Sequence, residues 1–316
     1  MSNPEYFVAI DWGTSCLRSY LCKVLSDGSI VLMQKSFGLG VNKISNTFEQ
    51  TLLVNISNWE RQYGKFPIFM SGQIGSSIGW KETKYISCPV SPNEVIKNCK
   101  TFVSADHLVR VIPGVSCYLS NNNHEVMRGE ELQILGWLLS NPDFKKEKHL
   151  ICLPGTHTKW VLVEHGKIIL FKTAMTGELY DLLVHHSVLI QDEGTEFDHA
   201  AFIQGAKFTL KSELGSFTHG LFSVRSKQIF GELSSNQANS YLSGILIGSD
   251  VRAAIHTKDW DINNFDKIHI IGSSHLSNCF STVLNIQGVK TEVCDLTEMT
   301  LLGFYEAYNY SISLEK

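Results

Sequence analysis

The chain has 316 residues, 43% of them apolar and 18% charged, and its 27 basic against 31 acidic side chains leave a formal charge of -4. That length and apolar share suffice for two packed domains, while the slight acidity and the lack of any basic tract give no reason to expect a nucleic-acid partner. No charged start leads into an apolar signal core, and no apolar run nears the ~20 residues that span a bilayer, so a cytoplasmic protein without membrane contact is expected.

In chain order, Phe7 to Leu21 reads FVAIDWGTSCLRSYL, a β-rich run that delivers Asp11 and Gly13-Thr14-Ser15 into a tight turn before a second strand begins. Gly13 lets the backbone bend close to an anion, and Thr14 and Ser15 add hydroxyl donors. Arg18 follows with a positive charge, and Asp11 ends its strand where a carboxylate can hold hydrated Mg²⁺. This is the layout of a phosphate loop, with a plain β-hairpin as the competing reading. An aspartic protease would need a second copy of its Asp motif in the other half, and the chain has none. Leu17–Val24 and Ser29–Phe37 are expected to pair through Ser26-Asp27-Gly28, and Thr47–Tyr63 has helical apolar spacing. Pro67–Ser71 reads as a short strand entering a Gly-rich loop, Ser71 to Trp80. Gly75, Ser76, Trp80 and Tyr85 are candidates for substrate contact, with core packing the competing reading for the two aromatics. A helix is expected from about Gly129 to Leu139, closed by Asn141-Pro142, and the polar stretch Pro142–Lys148 suits a lobe boundary. The expected division is an N-terminal domain of residues 1–145 and a C-terminal domain of residues 146–316.

His149 to Val163 reads HLICLPGTHTKWVLV and repeats the strand–turn–strand plan. Gly155-Thr156 can be set on Gly13-Thr14, Thr158 adds a hydroxyl, and Lys159 follows as Arg18 does in the first unit. Two such units in the two halves of one chain imply two similar α/β lobes facing a shared cleft, one turn on the γ-phosphate side of a nucleotide and the other on the β-phosphate side. Helices are expected at Glu178–Ile190, Phe197–Leu210 and Asn236–His256. A buried strand, Lys267–Ile271, then runs into Gly272-Ser273-Ser274, a turn that lets the backbone approach an adenosine face beside a helix N-terminus.

Phosphoryl transfer to a hydroxyl also needs a carboxylate near the acceptor. HEVMRGEELQ, residues 124–133, puts Glu130 and Glu131 in a first helical turn, where the helix dipole favours the ionised form. Glu130 is the preferred base and Glu131 the alternative, while Arg128 is placed to neutralise phosphate or bind a carboxylate. His185-His186 lacks a third ligand at convincing spacing and reads as helix surface or core. The eight scattered cysteines, without any Cys-x-x-Cys pair, read as reduced small hydrophobes.

The segments AIDWGTSCLRSYL, SGQIGSSIGWKETKY, VMRGEELQILG, LPGTHTKWVL, TGELYDLL, LFSVR, SYLSGILIGSDV and IGSSHLS together resemble the 2-dehydro-3-deoxygalactonokinase family of the actin, Hsp70 and sugar-kinase superfamily. The resemblance implies an α/β fold of two actin-like (ribonuclease H-like) lobes around a nucleotide cleft. It implies ATP and Mg²⁺ as cofactors and a six-carbon keto-deoxy sugar acid phosphorylated on O6. Asp11 would organise the metal, Gly13, Thr14, Ser15 and Arg18 the terminal phosphate, Gly155, Thr156, Thr158 and Lys159 the middle phosphates, and Gly272 and Ser273 the adenosine. Gln73 stands where the family is expected to have an apolar residue. A related sugar acid such as 2-dehydro-3-deoxygluconate, or a regulatory ATPase of the same fold, is the alternative, and the oligomeric state stays open.

Overall fold

The computed structural model describes residues 5–191, 194–211 and 217–314. The chain opens with β1 (Tyr6–Trp12), β2 (Cys16–Val24) and β3 (Ile30–Leu39) in an antiparallel run. The turn between β2 and β3 forms where Gly28 has φ +82° and the Asp27 carboxylate accepts the Ser29 N–H at 2.9 Å. α1 (Phe48–Tyr63) begins at a reciprocal cap in which Thr47 and Gln50 each bond the other's backbone N–H, and it stops at Gly64. β4 (Ile68–Ser71) lies parallel to β1. The segment after it holds β5 (Ile86–Ser87), α2 (Pro92–Lys97), β6 (Lys100–Ser104), β7 (His107–Val111), β8 (Val115–Tyr118), β9 (His124–Met127) and α3 (Glu130–Ser140). The remainder runs β10 (Lys148–Leu153), β11 (Thr158–Glu164), β12 (Lys167–Ala174), α4 (Thr176–His186), α5 (His199–Lys211), α6 (Phe217–Ile229) and α7 (Ser235–Ile255). It closes with β13 (Ile268–Gly272), α8 (Ser274–Ile286), β14 (Thr291–Asp295) and α9 (Leu296–Ser313). Among the described residues no helix is long and apolar enough to cross a membrane.

Two compact units result. The first takes the chain through Glu147, then Glu164–Leu170, then the chain from Leu296; the second is Lys148–Val163 with Phe171–Asp295. The first unit is built on a sheet of order β3-β2-β1-β4-β7-β6, with a small β5-β8-β9 sheet beside α3 in sequence. Strand alternation sends Val8, Ile10 and Trp12 into a core with Leu52, Ile56 and Trp59 of α1. Phe7, on the opposite face, stacks on Tyr308 of α9 at 5.0 Å. That contact and the α3–α9 packing explain why the last helix belongs here and not with the residues that precede it. A Cβ on Gly136 would overlap the Met299 backbone, and one on Gly303 would overlap Leu132, so the two helices approach at reciprocal glycines. The units therefore follow no single cut near residue 145.

The second unit holds the sheet order β12-β11-β10-β13-β14. Here β10 and β13 run parallel, with Cys152 beside Ile270, so their following turns leave the sheet on the same edge. Long α7 starts at a reciprocal Ser234–Gln237 cap. Its Tyr241, Leu242, Ile245 and Leu246 form a core with Leu189, Ala201 and Val224.

Candidate active site

In the first unit, Asp11 stands opposite Arg18 in the β1–β2 ladder and opposite Ser71 in the β1–β4 ladder. Arg18 Nη1 donates to Asp11 Oδ2 at 2.8 Å. Burial pushes the Asp11 carboxyl above its usual range, and the guanidinium pulls it partly back. Gly72 passes alongside with φ +91°; a Cβ there would lie 2.8 Å from the Trp12 carbonyl and 3.3 Å from Asp11 Oδ1. The Gly13–Ser15 turn is braced from its neighbours: Val41 N–H bonds the Gly13 carbonyl at 3.0 Å and Asn42 N–H the Thr14 carbonyl at 3.2 Å. Thr14 and Ser15 remain exposed, so their hydroxyls are available to an incoming anion. The bracing residues 41 and 42 carry no motif of their own and were invisible to pattern reading.

At the start of α3 the two acids occupy different environments. Gly129 N–H donates to both Glu131 carboxylate oxygens, at 2.9 and 2.7 Å, and Ser71 Oγ lies 3.5 Å from one of them. Glu131 is 1% exposed, and burial first and the charge of Glu130 second push its carboxyl up to about 8. It is thus largely protonated at neutral pH. Glu130 is half-buried and accepts the Arg128 backbone N–H at 3.1 Å. Arg128 itself is buried: its guanidinium donates to the Thr83 hydroxyl and, at 3.0 Å, to the Thr83 carbonyl, and lies 4.3 Å over the Tyr85 ring. The Thr83 hydroxyl in turn bonds the Gly75 carbonyl at 3.2 Å. Arg128, Gly75 and Tyr85 therefore form one cluster, in which Arg128 fixes the 83–85 segment. Ser76 Oγ folds back on the Gln73 carbonyl at 2.7 Å. Trp80 is partly buried at the margin of the core, stacked on Phe48 and edge-on to Phe102.

In the second unit, the Pro154–His157 turn leans on the first turn of α4. A Cβ on Gly177 would overlap the Gly155 carbonyl and lie 2.9 Å from Thr156 Cα, and Glu178 N–H bonds the Thr156 carbonyl at 2.9 Å. The Glu178 carboxylate also meets the His157 ring. Beside the turn is a cavity of about 280 Å³ whose lining includes Gly155, Thr158, Gly177, Phe197, Ser243 and His275. Phe197 meets the His275 ring edge-on at 4.8 Å. Gly272 packs against Pro154, 3.1 Å from where a Cβ would stand, so the expected adenosine turn abuts the second phosphate turn. Ser273 caps α8 without spending its side chain on a cap hydrogen bond. Lys159 alternates away from Thr158 on the strand, and its ammonium bonds Thr173 Oγ1 at 3.0 Å. Under the cavity, buried Asp250 accepts from Trp160 Nε1 at 2.8 Å and Thr176 Oγ1 at 2.6 Å; burial pushes its carboxyl up to about 6. Neither Asp250 nor the cavity wall of α7 stood out in the sequence, because small and apolar residues on a helix look like ordinary core.

Among the described residues no three His, Cys, Asp or Glu side chains gather as a metal cage. The family model described as 2-keto-3-deoxy-galactonokinase matches residues 11–307. The chain is 33% identical over 247 residues to the 2-dehydro-3-deoxygalactonokinase of Escherichia coli (strain K12), covering 78% of this chain and 79% of that one. A crystal structure from Sinorhizobium meliloti named for 2-dehydro-3-deoxygalactonokinase superposes with TM-score 0.82 at 29% identity, over 97% of this chain and 99% of that one. At 12% identity, the Clostridium difficile activator of 2-hydroxyisocaproyl-CoA dehydratase, with bound ADPNP, superposes with TM-score 0.53 over 98% and 97%, which bears on the fold alone. The α/β architecture is thus of the actin-like (ribonuclease H-like) class, and the chain belongs to the 2-keto-3-deoxy-galactonokinase family.

Proposed function

We propose that this kinase moves the γ-phosphate of ATP to O6 of 2-dehydro-3-deoxy-D-galactonate, acting in the cytoplasm on small-molecule substrates. One observation carries the reading: the family match runs from residue 11 to residue 307 and so takes in both Gly-Thr turns and the acidic start of α3. ATP supplies the transferable group, and hydrated Mg²⁺ supplies positive charge at its phosphate oxygens. A metal of this kind keeps several waters and needs only one or two carboxylates, which fits Asp11 with one oxygen on Arg18 and the other outside that pair.

The chain's own residues then divide the work. Gly13, Thr14 and Ser15 offer donors to the terminal phosphate, and Arg18 adds charge while holding Asp11 in place. Gly155, Thr156 and Thr158 serve the middle phosphates, and Gly272 and Ser273 lie on the adenosine side beside the N-terminus of α8. Glu130 accepts the proton of the sugar hydroxyl, since it is the accessible acid of the pair. Glu131 and Arg128 position it, the first by fixing Gly129 and the second by holding the Gly75–Tyr85 cluster, from which Gly75, Ser76 and Tyr85 face the sugar acid. The test is the product itself. Phosphorus–proton correlation spectra of the product should place phosphate on the C6 oxygen, and phosphate on any other oxygen would overturn the assignment of the acceptor.

A further inference from the structure

The second phosphate turn is tied to α4 by the His157–Glu178 pair, and both chain segments that leave its neighbourhood end on one carboxylate. Asp250 of α7 accepts from Trp160, two residues beyond Thr158 on β11, and from Thr176, the first residue of α4. The next residue, Gly177, is pressed on the Gly155 carbonyl, and Glu178 bonds the Thr156 carbonyl. Asp250 is 7% exposed and is not part of the cavity lining, so it acts on a ligand there through its neighbours, the cavity-lining Thr158 hydroxyl among them. The same helix supplies Asn239, Ser240, Ser243, Leu246 and Ile247 to the cavity wall, which ties the turn, the wall and the carboxylate into one frame.

We propose that Asp250 is a positioning residue for nucleotide binding: its carboxylate locks β11 and the first turn of α4 in the register that presents Gly155, Thr156 and Thr158 to the phosphates. This rests on the reading of the second unit as the nucleotide side of the kinase. A buried carboxylate with two donors fixes geometry at little cost in adaptability, and losing it leaves both donors unpaired. Asparagine retains an acceptor for Trp160 and can donate to the Thr176 hydroxyl, so it should stand in where alanine does not.

The experiment measures ADP affinity by calorimetry, and KM for the sugar acid and for ATP, in the parent, Asp250→Ala and Asp250→Asn. Asp250→Ala should weaken ADP by ~10-fold or more, roughly one buried hydrogen bond's worth, with the sugar-acid KM within about twofold of the parent. Asp250→Asn should restore most of the ADP affinity. A folded Asp250→Ala that holds ADP as tightly as the parent overturns the proposal. So does an equal loss toward ADP and sugar acid, which a general loosening of the fold would produce. If Asp250→Ala does not accumulate as folded protein, Trp160→Phe decides in the same terms: loss confined to the nucleotide supports the role, and unchanged ADP affinity overturns it. A parent protein that binds no ADP would instead strike the underlying reading of the second unit.

Discussion

Asp11 and Glu130 are the two side chains on which the proposed chemistry turns, and each can be neutralised without changing its shape. Asp11→Asn keeps an acceptor for Arg18 but loses the charge that orients the metal's water shell. Its kcat should fall by ~10² or more with the fold intact; near-parental kcat at saturating Mg²⁺ would remove Asp11 from the mechanism. Glu130→Gln should lower kcat by about 10²–10⁴ with little change in sugar-acid KM, the usual range for a lost general base. Glu131→Gln should be nearly silent at pH 7, because glutamine mimics the protonated carboxyl that burial enforces there. A dead Glu131→Gln with an active Glu130→Gln would reverse the assignment. The sequence offered two adjacent glutamates at the start of this helix and a preference for Glu130; what sets their surroundings apart lies in Ser71 and Gly129, one of them 60 positions away.

The elements that frame the turns have their own signatures. Gly177→Ala must displace either α4 or the second phosphate turn, since backbone stands where the methyl would go. KM for ATP should rise by ~10-fold or more while the sugar-acid KM holds, and an unchanged KM for ATP would show that the turn tolerates movement. In the second unit's sheet, His269 of β13 is buried beside His149 at 5.4 Å, with Glu292 Oε2 3.2 Å from its Nδ1. Burial brings its imidazole from 6.5 down to about 4. The unfolded chain therefore binds the proton more readily than the folded one. The stability contribution is fully present above pH 6.5 and is lost as pH falls toward 4, by up to about 3 kcal/mol. Urea titrations at pH 7.5 and 4.5 should show this loss, and His269→Gln should flatten it; identical slopes in both proteins would place the acid sensitivity elsewhere. Strands with strong flanking signals, β1, β2, β10 and β13, were readable from their apolar runs, as was the helix of Thr47–Tyr63. The stretch from Ile86 to Met127 was not, because its strands are two to five residues long and mix exposed with buried positions. α6 escaped for a related reason: only Gly220 and Val224 of its length are buried, which leaves no apolar stripe to read.

For the whole molecule, the repeat of a strand–Gly-Thr–strand unit in the two halves was the most legible feature and pointed to two similar α/β lobes, while the actin-like class came from the family resemblance of the longer segments. The partition of the chain was less so. The C-terminal helix returns to the first unit through contacts of Phe7, Gly136 and Leu132, whose partners lie 160 or more residues away. Long-range packing of that kind leaves no mark on local periodicity. The proposed activity is tested most directly by following ADP release with and without added sugar acids. The account predicts that ADP forms at an appreciable rate only when 2-dehydro-3-deoxygalactonate is present, with glycerol and glucose giving little because a neutral acceptor leaves donors meant for a carboxylate unpaired, and acetate giving little because it has no hydroxyl to phosphorylate. ATP turnover that proceeds equally well without any sugar acid, or that is faster with a neutral hexose, would contradict it.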